Sequence, residues 1–188
     1  MKHPKPNGPT TFAARARKLW ARPEIRFVVL FLVILGASFT VIAFRQVNDA
    51  VVEPYTAFIA RMSGGCLRIF GEAATVTGCE VKSPRFAVTI FNGCNGLITS
   101  LVFISAVLAF PAGWRAKLIG VVGGLVAIQI INLVRIVSLF YIGVYLPQYF
   151  SDAHVLLWQS LVLISGAALW VMWAGRAASP RAPETAKK

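Results

Sequence analysis

Four apolar stretches, at 27–44, 94–110, 118–143 and roughly 154–174, leave this chain little freedom in how it folds. Each approaches or exceeds the length a helix needs to cross the hydrocarbon of a bilayer, roughly 20 residues at about 1.5 Å apiece. In lipid the main-chain polar groups must be satisfied inside the segment, which makes such runs helical. Composition agrees: 57% of the 188 residues are hydrophobic and 14% are charged, with a mean hydropathy of +0.69. Soluble domains do not look like this. The reading is a membrane all-α fold, a polytopic bundle of about four transmembrane helices. Its expected plan is a basic cytoplasmic segment at 1–26, an integral membrane domain at 27–176 and a disordered cytoplasmic tail at 177–188. The stretch 1–9 reads as disordered too.

The first apolar run is longer than the core of a secretory leader, and no small-x-small cleavage pattern precedes Arg45. It reads as a retained helix. The net charge of +12 lies between the apolar runs and at the ends, not along one face. That pattern excludes nucleic acid as a partner and fits the charge bias of membrane proteins. With the N-terminus in the cytoplasm, Lys2, Lys5, Arg15, Arg17, Lys18, Arg22 and Arg26 are inside. Arg115 and Lys117 follow them between the second and third spans, and Arg176, Arg181, Lys187 and Lys188 after the fourth. Arg45, Arg61, Arg68, Lys82 and Arg85 fall outside, and Arg135 lies within a span. The positive-inside rule then holds at every loop.

This topology makes the insert 45–93 extracytoplasmic. Its first half, 54–70, reads as an amphipathic helix on the outer leaflet. A fifth short span is the alternative, but it would flip the later helices and break the charge rule. In the second half, Thr75-Val76-Thr77 and Phe86-Ala87-Val88-Thr89-Ile90 have the β-branched alternation of strands, with turn signals at Gly78 and Ser83-Pro84. A small β-hairpin would deliver Asn92-Gly93-Cys94 to the membrane surface. Cys66 and Cys79 share the oxidising side, which permits a disulfide. No CxxC and no Cys/His zinc spacing occurs, so neither metal nor cofactor is expected.

Three side chains stand out against these surroundings. Cys94 ends a glycine-rich polar turn and opens the second span. At a helix N-terminus the dipole favours a thiolate, while the bland reading is a small buried hydrophobe. Arg135, about two turns before the outward end of the third span, lies roughly 10 Å deep. A guanidinium there costs at least about 2.5 kcal/mol, so it should face the bundle interior and meet an anion. Asn132, three residues earlier, shares its face. Snorkelling to headgroups, or a structural pair with Asp152, is the competing account. His154 begins the fourth span at the same membrane face.

The run Asn92-Gly93-Cys94-Asn95-Gly96-Leu97, then Asn132-Leu133-Val134-Arg135, and His154 heading a final helix resemble the exosortase/archaeosortase family. The turn Phe110-Pro111-Ala112-Gly113-Trp114-Arg115 and Ser138-Leu139-Phe140-Tyr141 resemble its short exosortase H branch. The likeness covers 52–173, in a chain more compact than many members. It implies a multi-pass cysteine transpeptidase or protease of the bacterial inner membrane. Its partners would be membrane lipid and exported proteins ending in a motif, a transmembrane helix and a basic cluster. It also implies a triad at the outer face: Cys94 as nucleophile, His154 as general acid and base, and Arg135 stabilising the oxyanion. Asn132 and the amide of Asn95 would assist, with Asn92 in support. The rival class is a non-enzymatic accessory protein using Arg135 to bind an anionic lipid or solute.

Overall fold

The computed structural model describes residues 20–178. The disorder expected at 1–9 lies outside the described residues, as does that at 179–188 of the expected tail 177–188; residues 177 and 178 are instead helical. Helix α1 (Pro23–Ala43) leads through a short helical turn and a π turn (Asn48–Val52) into α2 (Glu53–Ile69). Strands β1 (Thr75–Thr77), β2 (Glu80–Lys82) and β3 (Ala87–Thr89) follow, then α3 (Leu97–Ala109) and α4 (Trp114–Tyr145). A 3-10 turn, one helical turn and a second π turn (Ala153–Trp158) open α5 (Gln159–Ala178). Among the described residues, three segments are long and apolar enough to cross a membrane: Pro23–Ala43, Trp114–Tyr145 and Pro147–Ala178. The protein is a multi-pass, mostly helical membrane protein.

The second expected span, 94–110, is shorter as a helix than its apolar run. Helix α3 has 13 residues, about 20 Å at 1.5 Å each, against a hydrocarbon core of roughly 30 Å. It starts at Leu97 because Gly96 has φ +77°, a left-handed conformation that a side chain resists. A Cβ there would also stand 2.9 Å from the Gln129 amide nitrogen. Residues 94–96 are therefore loop, not helix.

Helix α3 packs against α1, α4 and α5 and forms the central post of the bundle. In lipid, packing and not water exclusion drives helices together, and small residues allow close approach. On α4, Gly124 lies directly under the Phe103 ring and Gly120 under the Trp173 indole, leaving no room for a Cβ at either. Phe103, Val107 and Ile128 are the buried heart of this contact. Near the 110–113 turn, Trp173 donates its indole N–H to the Ala116 carbonyl at 3.0 Å. There Phe27 stacks on Trp170 and Phe110 meets Trp173 edge-on, each with ring centroids 5.6 Å apart.

A second core lies at the other end of α4. The expected hairpin is a three-stranded antiparallel sheet in the order β1-β2-β3. The middle strand escapes sequence reading because Glu80-Val81-Lys82 has one apolar side chain and three residues. Gly78, at φ +59°, opens the two-residue turn between β1 and β2, as a type II′ turn requires. Val81 and the half-buried Val76 and Val88 pack with Ile59, Ala60 and Leu67 of α2 and with Ile136 and Phe140 of α4. Arg85 fastens this body to the end of α4: it pairs with Glu72 at 2.8 Å and lies 4.7 Å over the Tyr145 ring.

Helix α2 matches its expected extent and is not among the candidate spans. Its buried stripe, from Thr56 to Leu67, turns toward the sheet and α4, while Phe58 and Met62 stay exposed beside Val126 and Ile130. Cys66 and Cys79 are free thiols.

The close approach of α3 and α4 yields a measurable expectation. Gly124→Val forces the Phe103 ring aside and should destabilise the bundle by about 1–3 kcal/mol. Gly123→Val, with nothing within 4 Å of its Cβ position, should leave stability unchanged. Thermal unfolding in detergent distinguishes them; equal midpoints would refute the packing argument.

Candidate active site

The loop between β3 and α3 is held from both sides before any reactive group enters. The Cys94 amide donates to the Phe91 carbonyl at 2.8 Å, closing a turn over Asn92 and Gly93. Asn92 donates to the Asn48 side chain at 2.8 Å, tying the loop to the π turn ahead of α2. The fully buried Asn95 donates to the Thr56 hydroxyl at 2.8 Å and accepts the Leu97 amide at 2.9 Å. One asparagine thus anchors the loop to α2 and caps α3, satisfying an amide that the helix start would leave orphaned. Asn92 and Asn95, expected near the chemistry, carry the loop by these contacts.

The structure brings Cys94, Arg135 and His154 together although they are far apart in sequence. The Cys94 Sγ lies 2.8 Å from His154 Nε2 and 3.6 Å from Arg135 Nη2. Donation by the thiol requires an imidazole with its own proton on Nδ1. Arg135 is 3% exposed, and Cys94 is the hydrogen-bond partner of its guanidinium. Its Nε is buried without a partner. Asp152 is exposed and forms no ion pair with it among the described residues, so the structural pair weighed above does not form. Asn132 lies one turn below, wholly buried against Gly96, with both amide atoms unpartnered.

His154 sits in the second position of the π turn Ala153–Trp158. An inserted residue rotates the helix face at that point, and such turns recur at functional sites. Phe150, one turn earlier, stacks on the imidazole with centroids 6.1 Å apart. Phe86 packs on Phe150 at 5.5 Å and meets Phe140 edge-on at 5.9 Å. Phe86 itself rests on Gly143, where a Cβ would collide with its ring. A row of rings therefore runs from α4 to the imidazole. Sequence reading missed both phenylalanines. Phe150 was within reach, four residues before His154 on a helix; Phe86 gave no signal, since it arrives through tertiary packing.

These groups border a cavity of about 300 Å³ whose remaining walls are mostly apolar, from Phe86 to Phe91, Ile136, Leu139 and Phe150. Burial pushes the Cys94 thiol above its ordinary pKa, and the Arg135 charge draws it back in part. The helix dipole, expected to favour a thiolate, is weak at this position. Cys94 precedes the first helical residue by three positions, where the dipole has little reach, and desolvation penalises the anion. The Cys94 sulfur and the His154 imidazole are in direct hydrogen-bond contact.

The two influences on the thiol can be separated. Alkylation of Cys94 by iodoacetamide, followed by mass spectrometry, should rise with pH through and beyond the ordinary thiol range near about 8.5. In Arg135→Gln the cation that lowers the pKa is gone, so the rise should move to still higher pH. An unchanged or more acidic profile would contradict the geometry.

The sequence model of the transmembrane exosortase family (Exosortase_EpsH) matches residues 15–173. No curated protein and no solved structure matches the chain. The family match spans all three groups at the cavity and both helical bodies that position them. The chain belongs to the transmembrane exosortase family, a family of cysteine-type membrane transpeptidases.

Proposed function

We propose that this protein cleaves the C-terminal sorting signals of exported proteins at the outer face of the cytoplasmic membrane, using Cys94, His154 and Arg135. The observation that carries the reading is the Cys94–His154 contact of 2.8 Å beside a buried, uncompensated Arg135. A non-enzymatic anion site at Arg135 would leave that thiol–imidazole contact without a role.

The chemistry follows from the contacts. Cys94 Sγ attacks the scissile carbonyl while its proton passes to His154 Nε2. The carbonyl oxygen becomes an oxyanion beside Sγ, where the Arg135 guanidinium stabilises it in a poorly hydrated cavity. Asn132 has free amide hydrogens one turn below and supports the same charge. Collapse breaks the C–N bond, the imidazolium protonates the leaving amine, and a thioester remains on Cys94. An amine or water then releases the acyl group. The substrate's own helix lies between spans, with its motif at the outer interface. Both chain termini are cytoplasmic in this arrangement.

Processing of a tailed exported protein in cells should fall at least about 100-fold in Cys94→Ala, Arg135→Ala and His154→Ala, with protein levels maintained. Full processing by Cys94→Ala would overturn the proposal. Loss in Arg135→Ala alone would favour the anion-binding reading. A mass-spectrometric adduct of Cys94 with the acyl fragment would identify the thioester directly.

A further inference from the structure

We propose that the open edge of β3 binds the substrate: an extended peptide pairs with it, main chain to main chain, and so lays its scissile carbonyl against Cys94. This rests on the assignment of Cys94 as nucleophile and adds how the substrate is held.

The sheet order leaves β3 with one paired side and one open side. Its register with β2 pairs Val88 with Val81, Ala87 with Lys82 and Thr89 with Glu80. The Ser83 amide donates to the Phe86 carbonyl at 2.9 Å, and the Ile90 amide donates to the Cys79 carbonyl at 2.9 Å. Antiparallel strands alternate which residues bond across the pair. Phe86, Val88 and Ile90 therefore turn their main-chain groups toward β2. The N–H and C=O of Ala87 and Thr89 consequently project from the open edge.

That edge borders the reactive cavity. Residues 86–91 line it together with Cys94, Arg135 and His154. The other side chains around it are mostly hydrocarbon or aromatic, so few side chains there can read a polar peptide. The main-chain groups of the edge can. Open edges are usually blunted by lysine, proline or a bulge; Ala87-Val88-Thr89 contains none of these. A ligand entering the cavity must either satisfy those donors and acceptors or bury them unpaired, which is costly. An extended peptide satisfies them in alternation, the mode of strand addition to a sheet. From Thr89 the chain runs on to Cys94, so a substrate passing from the sheet toward the membrane runs in the same direction as β3. The pairing is parallel, and at about 3.3 Å per residue the edge accommodates roughly four residues.

The test uses the full chain in native membranes and two Cys94 reagents. One is acetyl-tetraalanine chloromethyl ketone, which has a peptide main chain; the other is iodoacetamide, which has none. Thr89→Pro removes one outward N–H and leaves the ladder amides of Val88 and Ile90 intact, as edge strands allow. The ratio of peptide-ketone to iodoacetamide labelling rates should fall at least tenfold in this variant. Independently, ketones N-methylated at successive alanines should lose rate on the wild-type protein at alternate positions. An unchanged ratio in Thr89→Pro, or equal rates for all methylated and unmethylated ketones, would overturn the proposal. Full processing of a tailed protein after complete iodoacetamide modification of Cys94 would overturn the nucleophile reading and this inference with it.

Discussion

A guanidinium almost wholly removed from solvent, with no carboxylate paired to it among the described residues, sets the terms for the structure around Arg135. Such a charge is expensive in any low-dielectric setting, and proteins ordinarily neutralise it. Here its partner is a sulfur atom at 3.6 Å. The surrounding architecture keeps it in place: Asn95 locks the Cys94 loop to α2, and Phe86 and Phe150 fill the wall opposite. The arrangement retains an unspent positive potential at one wall of a cavity. It suits a site where negative charge arises only transiently.

The two packed bodies divide the labour along α4. Toward the 110–113 turn, glycine faces admit Phe103 and Trp173, and the bundle closes on aromatic rings. Toward Tyr145, the same helix supports a small sheet through Ile136 and Phe140. Arg135 and Asn132 lie between these regions, on the one helix common to both.

Much of this was legible in the sequence for plain physical reasons. Long apolar runs have one solution in lipid, so α1, α4 and α5 were readable to within a few residues. Cys94, Arg135 and His154 were conspicuous because each is out of character with its neighbours. What local pattern could not show depends on tertiary contact. The middle strand contributes one buried valine, Val81, and became visible only through its partners. The start of α3 was expected three residues early, at Cys94, because the left-handed turn at Gly96 is a backbone feature that the sequence pattern does not place. Burial of the Cys94 thiol, which raises its pKa, comes from tertiary packing and gave no local signal. Asn92 and Asn95 were expected to support the chemistry; that their side chains tie the loop to the π turn and to α2 depends on tertiary contact and had no local signal.

The short central post has a consequence for where water ends. Because α3 starts only at Leu97, the loop at 91–96 lies level with Gln129 to Arg135 of α4, among apolar residues of the membrane-crossing helix. Irregular main chain at such depth must be enclosed by protein or wetted from outside. Gly93 is exposed, whereas Asn95 and Gly96, two and three residues on, are sealed. The change from exposed to sealed main chain therefore falls at Cys94 itself. The sulfur stands half-buried at that change, with Gly93 open on one side and Asn95 enclosed on the other.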